Sequence, residues 1–171
     1  MFLRMPSVFE QLNPRIVEGL KELGIIEPTP PQVKAIEPIL RGENVLLVAP
    51  TASGKTEAAL LPVFNKLLES EKCEGIGIVY VTPLRALNRD IHRRLMFWAE
   101  HLDIDVQIRH GDTAQRIRRK QAAMPPKMLI TTPETLQAVL PLGEMRKHLG
   151  SVRWVIVDEI HELAASKRGA Q

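Results

Sequence analysis

Cysteine, aromatic residues and long apolar runs are all scarce in this chain of 171 residues. Its single cysteine, Cys73, cannot form a disulfide within the chain and offers no thiolate cluster for zinc, so we expect a reducing, cytoplasmic compartment. No run approaches the ~20 apolar residues that cross a bilayer, and the first residues lack the apolar stretch of a secretion signal. We therefore expect no membrane partner.

The composition is that of an ordinary globular domain. With 44% hydrophobic and 25% charged residues, it excludes disordered and collagen-like chains. The net charge of +3 identifies no partner, but the charge is unevenly distributed along the sequence. The segment from Arg85 to Lys120 contains nine Lys and Arg and only five Asp and Glu. This segment can neutralise the phosphates of a polyanion, although a solvated helix face is the commoner role of any single basic side chain.

Short, β-branched runs alternate with helical patterns along the chain. Near-continuous hydrophobicity without polar alternation is typical of strands that helices cover on both faces. The sequence therefore predicts a three-layer α/β/α domain with a mainly parallel sheet of about five or more strands. The runs lie at Val45–Val48, Ile76–Val81, Val106–Ile108, Met128–Thr131 and Val155–Val157.

The strongest motif follows the first predicted strand and opens a helical pattern, which is the context of a phosphate-binding loop. It runs from Ala49 to Thr56, and Ala49 stands where the strict motif has glycine. Backbone N–H groups of its small residues can surround a polyphosphate, Lys55 supplies charge, and the Thr56 hydroxyl can ligate Mg²⁺. A helix start without function is the alternative. The small residues are Thr51, Ala52, Ser53 and Gly54.

A pair of acidic residues, Asp158 and Glu159, follows the last predicted strand. Ligands of open α/β sheets bind at the carboxyl ends of the strands, so these side chains stand where a bound metal and nucleotide would lie. Asp158 suits Mg²⁺, and Glu159 suits the positioning and deprotonation of the water that attacks a γ-phosphate. The alternative is a solvated pair of carboxylates at a helix start.

These two motifs resemble motifs I and II of superfamily 2 helicases of the DExH type. Three further matches occur in the family's order: Gly24–Gln32 resembles the Q motif, Thr82–Leu87 resembles motif Ia, and Thr131–Leu136 resembles motif Ib. Three segments are most similar in sequence to the large helicase-related (Lhr-type) branch: His110–Thr113, Thr132–Leu136, and His161–Leu163 followed by Ser166–Gly169.

The resemblance implies that residues 1–171 form a single N-terminal RecA-like domain, incomplete at its C-terminus, in which residues 1–40 are a helical segment with the Q motif. It implies ATP and Mg²⁺ as cofactors, catalysis by Glu159, Lys55 and Asp158, and metal binding by Thr56 and Asp158. A second RecA-like domain is then a required partner, because its arginine fingers are worth ~10³ to 10⁵ in rate. Alone, the chain is expected to hydrolyse ATP weakly or not at all.

The resemblance also assigns binding residues around the nucleotide. Gln32 is similar to the glutamine that reads the adenine edge, and Thr29 is expected to hold the loop of Gln32 by local hydrogen bonds. Phe9 is similar in placement to the aromatic residue that stacks on the base, but its spacing to Gln32 departs from the usual pattern. An ordinary buried aromatic is the alternative for Phe9.

In the family, motifs Ia and Ib line a track for DNA or RNA, and the scarcity of aromatics here favours contacts with the phosphate backbone. Thr135 has a hydroxyl that suits a phosphate, or it caps the following helix. His161 is similar to the residue that couples the nucleotide site to a later motif. The residues assigned to the track are Pro83, Arg85, Gly111, Thr132, Pro133 and Thr135.

Two other functions fit part of the pattern. A phosphate-loop kinase that acts on a small molecule could be complete in 171 residues, but it leaves the resemblance of Gln32 to an adenine-reading residue unexplained. A non-catalytic module that binds nucleic acid in a nucleotide-dependent way is the other. Binding that weakens steeply with salt separates both helicase-derived functions from the kinase, and stimulated ATP turnover separates the helicase from the passive module.

Overall fold

The computed structural model describes residues 7–70, 74–83, 89–141 and 143–164. The chain divides into two compact units, Met1–Ser70 and Glu71–Gln171.

The first unit is helical in the residues that the structure describes. Proline occupies the first turn of both α1 and α2, where its missing N–H group costs nothing. The side chain of Asn13 caps α1, and the buried amide of Asn65 in α3 accepts the N–H of Asn13 at 2.6 Å. Helix α2 packs against α3. The elements are a 3₁₀ helix (Val8–Gln11), α1 (Pro14–Glu22), α2 (Pro30–Leu40) and α3 (Lys55–Glu69).

The second unit alternates strands with helices around a parallel sheet of four strands, in the order β2-β3-β1-β4. Fully buried residues along β1 and β3 account for the apolar runs of the sequence. The elements are β1 (Ile78–Val81), α4 (Arg89–Leu102), β2 (Val106–Arg109), α5 (Gln115–Ala123), β3 (Met128–Thr131), α6 (Pro133–Val139), α7 (Gly143–Leu149), β4 (Trp154–Val157) and α8 (Ile160–Ala164).

The register of the sheet brings four strand ends to one edge. Val81 pairs with both Thr131 and Val157, and Arg109 pairs with Thr131. The residues that follow these ends, among them Thr82, Thr132 and Asp158, therefore share the carboxyl edge of the sheet, where ligands of such folds bind. Val79 of β1 and Leu129 of β3 form a buried cluster with Val139 of α6 and Met145 of α7.

One predicted strand is wrong. Residues Val45–Val48 have no strand conformation, and Leu46 and Val48 are 74% and 86% exposed. A strand forms only when a neighbour pairs its N–H and C=O groups, and no strand among the described residues pairs with this run. The described sheet thus has four strands, below the five or more that the sequence predicts.

The other predicted strands are confirmed to within two residues. Among the helices that the structure describes, none has the length and apolarity needed to span a membrane.

Candidate functional site

The candidate phosphate-binding loop makes a tight turn into the N-terminus of α3. Gly54 caps this helix in the left-handed conformation, with φ of 83°, and Ala52 shares that region with φ of 57°. A side chain at φ > 0 costs about 1 to 2 kcal/mol, so Ala52 holds an unfavourable backbone conformation in this loop. The turn leaves the first N–H groups of α3 without helical carbonyl partners, and such groups bind anions.

Lys55 folds back over the loop. Its Nζ atom donates to the carbonyl of Ala49 at 2.6 Å and to that of Pro50 at 2.8 Å, and the Ser53 hydroxyl donates to Pro50 at 2.7 Å. Lys55 makes no ion pair with a carboxylate in the part of the chain that the structure describes. The ammonium group therefore keeps its charge available for an anion, and phosphate oxygens can replace the two carbonyls.

The amide of Gln32 joins α2 to this loop. Its Oε1 atom accepts the N–H of Thr29 at 2.9 Å, and its Nε2 atom donates to the carbonyl of Gly54 at 3.4 Å. The side chain is 1% exposed. The structure thus brings Gln32, Thr29 and Gly54 together, with the bond between Thr29 and Gln32 made by the backbone N–H of Thr29, and the role expected of Thr29 stays a prediction. One N–H and one lone pair of the amide have no hydrogen-bond partner in the part of the chain that the structure describes, and reading of adenine by them stays a prediction.

Two other residues of the predicted nucleotide site have different surroundings. Thr56 is half-buried in the first turn of α3, directly after Lys55, and is the last residue of the candidate phosphate-binding loop. Phe9 lies in the 3₁₀ helix and is 5% exposed. This burial fits the packing alternative for Phe9 better than base stacking, which requires an accessible ring face.

The carboxylate pair follows β4 in the second unit. The N–H of Asp158 donates to the carbonyl of Val81 at 2.9 Å, which continues the ladder between β1 and β4 by one residue. The Asp158 carboxylate accepts two hydrogen bonds, from the Tyr80 hydroxyl at 2.6 Å and from the N–H of Glu159 at 2.9 Å. No further donor among the described residues is bonded to the carboxylate, so each oxygen has a lone pair left for a ligand, and carboxylate oxygens are ligands that Mg²⁺ prefers.

Glu159 is held in the left-handed region, with φ of 50°, and its Oε2 atom lies 3.2 Å from Nδ1 of His161. Backbone strain of this kind costs about 1 to 3 kcal/mol and clusters at functional sites. The His161 side chain is 75% exposed, against 30% for Glu159. The structure thus brings Asp158, Glu159 and His161 together, with Tyr80 as a fourth member that the sequence did not predict.

The residues predicted to bind nucleic acid follow three strands at the same edge of the sheet. Pro83 comes after β1, Gly111 after β2, and Thr132 and Pro133 after β3. Thr132 caps α6, since its hydroxyl accepts the N–H of Thr135 at 3.3 Å, so the capping role considered for Thr135 is wrong. Arg85 lies outside the described residues.

Arg109, at the end of β2, is a residue of this edge that the sequence did not predict. It is 5% exposed, and its only hydrogen bond among the described residues goes to the carbonyl of Arg118 at 3.4 Å. Burial, and then the charge of Arg118, lowers the pKa of the Arg109 guanidinium. Arg118 in turn donates to the carbonyls of His110 and Gly111. The two arginines thus fix the backbone after β2 by bonding to its carbonyl groups.

The sequence contains a weak signal for Tyr80, because a phenol in an otherwise aliphatic strand needs a hydrogen-bond partner when it is buried. It contains none for Arg109, whose burial depends on the packing of β2, α5 and the loop between them.

A comparison with protein families decides the classification, because the model of the DEAD/DEAH box helicases matches residues 29–171. The chain belongs to this family. The match begins at Thr29 and includes the candidate phosphate-binding loop and the carboxylate pair, so these helicase motifs lie in the region that the family shares.

Individual helicases are similar over nearly the whole chain. The ATP-dependent helicase Lhr-Core of Sulfolobus acidocaldarius is 40% identical over 96% of the chain, which covers 20% of that protein. The structure of Mycobacterium smegmatis helicase Lhr bound to ssDNA and AMP-PNP superposes with a TM-score of 0.85 and 38% identity, covering 96% of this chain and 22% of the other. These matches confirm the resemblance to Lhr-type helicases.

A second solved structure extends the likeness beyond that branch. The DEAD-box helicase Mss116 bound to ssRNA and UDP-BeF matches with a TM-score of 0.83 and 26% identity, over 96% of this chain and 35% of the other. The RecA-like α/β fold expected from the resemblance is therefore confirmed, and the chain carries the ATP-binding domain of a helicase. It spans about a fifth of the length of the curated Lhr-Core relative.

Proposed function

We propose that this chain binds ATP with Mg²⁺ and is the motor domain of a cytoplasmic helicase that moves along or unwinds nucleic acid. One observation carries the nucleotide part of the proposal. The loop from Ala49 to Thr56 turns through Gly54 into the N-terminus of α3, and it holds a lysine that no described carboxylate neutralises. A fixed cation at the N-terminus of a helix suits a polyphosphate.

The residues present fit the cofactors. Lys55 and the N–H groups of residues 51–54 would hold phosphate oxygens, and Gln32 would contact the base. Oxygens of Thr56 and Asp158 are suited to Mg²⁺, which in proteins is bound by one or two carboxylates together with substrate phosphates. Magnesium supplies charge stabilisation for the phosphoryl group, and Glu159 orients and deprotonates the attacking water. His161, 3.2 Å from Glu159, would couple the nucleotide site to a later motif of the family. That residues 1–171 form a single RecA-like domain stays a prediction.

The polymer is DNA or RNA, bound mainly through its phosphates. The carboxyl edge of the sheet supports this proposal, since Pro83, Gly111 and Thr132 gather there beside the half-buried Arg118. Solved structures of similar helicases contain either polymer, ssDNA for the mycobacterial Lhr and ssRNA for Mss116. A second RecA-like domain is the other proposed partner, and the family match favours a helicase over a small-molecule kinase.

Binding of single-stranded nucleic acid should therefore weaken steeply as salt rises. Each phosphate that a basic residue neutralises contributes a slope of about −0.7 to the plot of log K against log salt. We expect Arg85→Gln to weaken binding to DNA and RNA and to reduce this slope by about 0.7. Fluorescence anisotropy at several salt concentrations measures both quantities.

The matched control for this prediction is Lys21→Gln, which removes one positive charge from the exposed side of α1. This variant should bind with the slope of the unaltered chain. Equal slopes for Arg85→Gln and the unaltered chain would remove Arg85 from the track, and binding that is insensitive to salt would contradict a phosphate-directed contact altogether.

A further inference from the structure

Tyr80 makes a hydrogen bond that the proposed function does not yet use. Its side chain is 1% exposed within β1, and its hydroxyl donates to Oδ2 of Asp158 at 2.6 Å. The distance is at the short end for an O–H···O bond and is typical of a donor facing a charged carboxylate. Seventy-eight residues separate the two partners in sequence, so the bond exists only through the pairing of β1 with β4.

The sheet determines this contact through its register. Tyr80 pairs with Ile156 across the two parallel strands, and Asp158 follows two residues later. The N–H of Asp158 also bonds to the carbonyl of Val81, so the backbone of Asp158 is fixed next to β1 independently of its side chain. The phenol then reaches the carboxylate from within the buried layer of the sheet.

The second oxygen of the Asp158 carboxylate also accepts a hydrogen bond. Oδ1 of Asp158 accepts the N–H of Glu159 at 2.9 Å, while Oδ2 accepts the hydroxyl of Tyr80. One donor on each oxygen prevents rotation of the carboxylate plane. A carboxylate has about four lone-pair directions, so two remain free, and their orientation is set by the two donors.

We propose that Tyr80 is a positioning residue for the magnesium ligand Asp158, fixing the plane of the carboxylate so that a free lone pair faces the metal. This inference rests on the proposed function, in which Asp158 binds Mg²⁺. Hydrogen-bond partners of a ligand orient it and raise its affinity, and losing one typically costs about 10- to 100-fold in metal affinity or activity. A purely structural role would instead make the bond a means of satisfying a buried phenol, with no effect on the metal.

The first test replaces Tyr80 by phenylalanine and titrates Mg²⁺ against binding of a fluorescent ATP analogue to the chain. We expect the Mg²⁺ concentration at half-maximal binding to rise about 10- to 100-fold in Tyr80→Phe. Binding should return at saturating Mg²⁺, because the phosphate-binding loop is unaltered. A midpoint within twofold of the unaltered chain would overturn the inference.

The matched control is Thr131→Val, which removes a buried hydroxyl from the neighbouring strand β3. Its own contact is with the carbonyl of Thr132, so the Mg²⁺ midpoint should stay unchanged. A midpoint that rises equally in both variants would assign the effect to loss of a buried hydroxyl and overturn the role of Tyr80. If the unaltered chain binds the analogue equally well with and without Mg²⁺, that result would overturn the proposed function, and the inference with it.

A second measurement needs no variant that could fail to fold. Tyr80 is the only tyrosine of the chain, so labelling tyrosine with ¹³C at the ζ carbon gives one NMR signal that reports the phenol–carboxylate bond. We expect this signal to move when Mg²⁺ is added with the ATP analogue, beyond any change caused by the analogue alone. A signal that ignores Mg²⁺ over the range in which the analogue binds would contradict the inference.

Discussion

Replacing Glu159 by glutamine is expected to slow ATP turnover by ~10² to 10⁴-fold while ATP affinity changes little. Glutamine keeps the size and the hydrogen-bonding reach of the side chain but cannot accept a proton from the attacking water. The assay is steady-state phosphate release, measured on the protein that joins this chain to a second RecA-like domain, with single-stranded nucleic acid present. Binding of an ATP analogue is measured in parallel.

The structure explains why this residue and not a neighbour should have the effect. Glu159 lies between β4 and α8 with its backbone in the left-handed conformation, and its carboxylate is 3.2 Å from His161. Glu162 lies in α8 and is exposed, which makes it the matched control. We expect Glu162→Gln to retain full turnover. Turnover that survives in Glu159→Gln would exclude Glu159 as the general base.

Replacing Gly54 by alanine is expected to disrupt the candidate phosphate-binding loop. A Cβ atom at this position would lie 2.7 Å from Nε2 of Gln32 and 3.0 Å from Oγ1 of Thr29, and the backbone has φ of +83°. The left-handed conformation costs alanine about 1 to 2 kcal/mol, and each hydrogen bond that Gln32 loses costs about 1 kcal/mol. We expect the free energy of unfolding to fall by about 3 kcal/mol and affinity for the ATP analogue to fall by about tenfold or more.

Gly42→Ala provides a close control for this steric argument. Gly42 has φ of +87°, nearly that of Gly54, but an added Cβ atom would meet nothing within 4 Å. This variant carries the conformational cost alone, about 1 to 2 kcal/mol, and should bind the ATP analogue normally. Thermal unfolding and analogue binding, measured on both variants, separate the conformational cost of the left-handed backbone from the effect of the steric contact with Gln32. Equal losses of affinity would show that the contact with Gln32 is unimportant.

Local patterns were sufficient to predict the strands whose partners lie within the described sheet. β3 was predicted to the residue, because a run of four buried residues between turn signals has no helical alternative of that length. Val45–Val48 has the same apolar character, yet it forms no strand. Pairing is a property of two segments, and a sequence pattern reports only on one of them.

In the candidate site too, local features were predictable from the sequence and contacts between distant residues were not. The phosphate-binding loop and the carboxylate pair were found from consecutive residues, since their chemistry depends on local spacing. The bond between Tyr80 and Asp158 and the burial of Arg109 involve residues far apart in the chain, and neither was predicted. For Gln32 the motif predicts a contact with adenine, which stays a prediction, and the structure adds bonds to Thr29 and to Gly54 of the phosphate-binding loop that the motif did not indicate.

The central claim is that the loop around Lys55 binds the phosphates of ATP, and equilibrium binding of a fluorescent ATP analogue with Mg²⁺ tests it most directly. Hydrogen bonds from a charged donor are worth about 1.5 to 3 kcal/mol, so Lys55→Ala should raise the dissociation constant by about tenfold or more. Lys66→Ala, near the end of the same helix, should bind like the unaltered chain, with circular dichroism confirming that all three proteins are folded. Equal affinity of Lys55→Ala and the unaltered chain would contradict the claim.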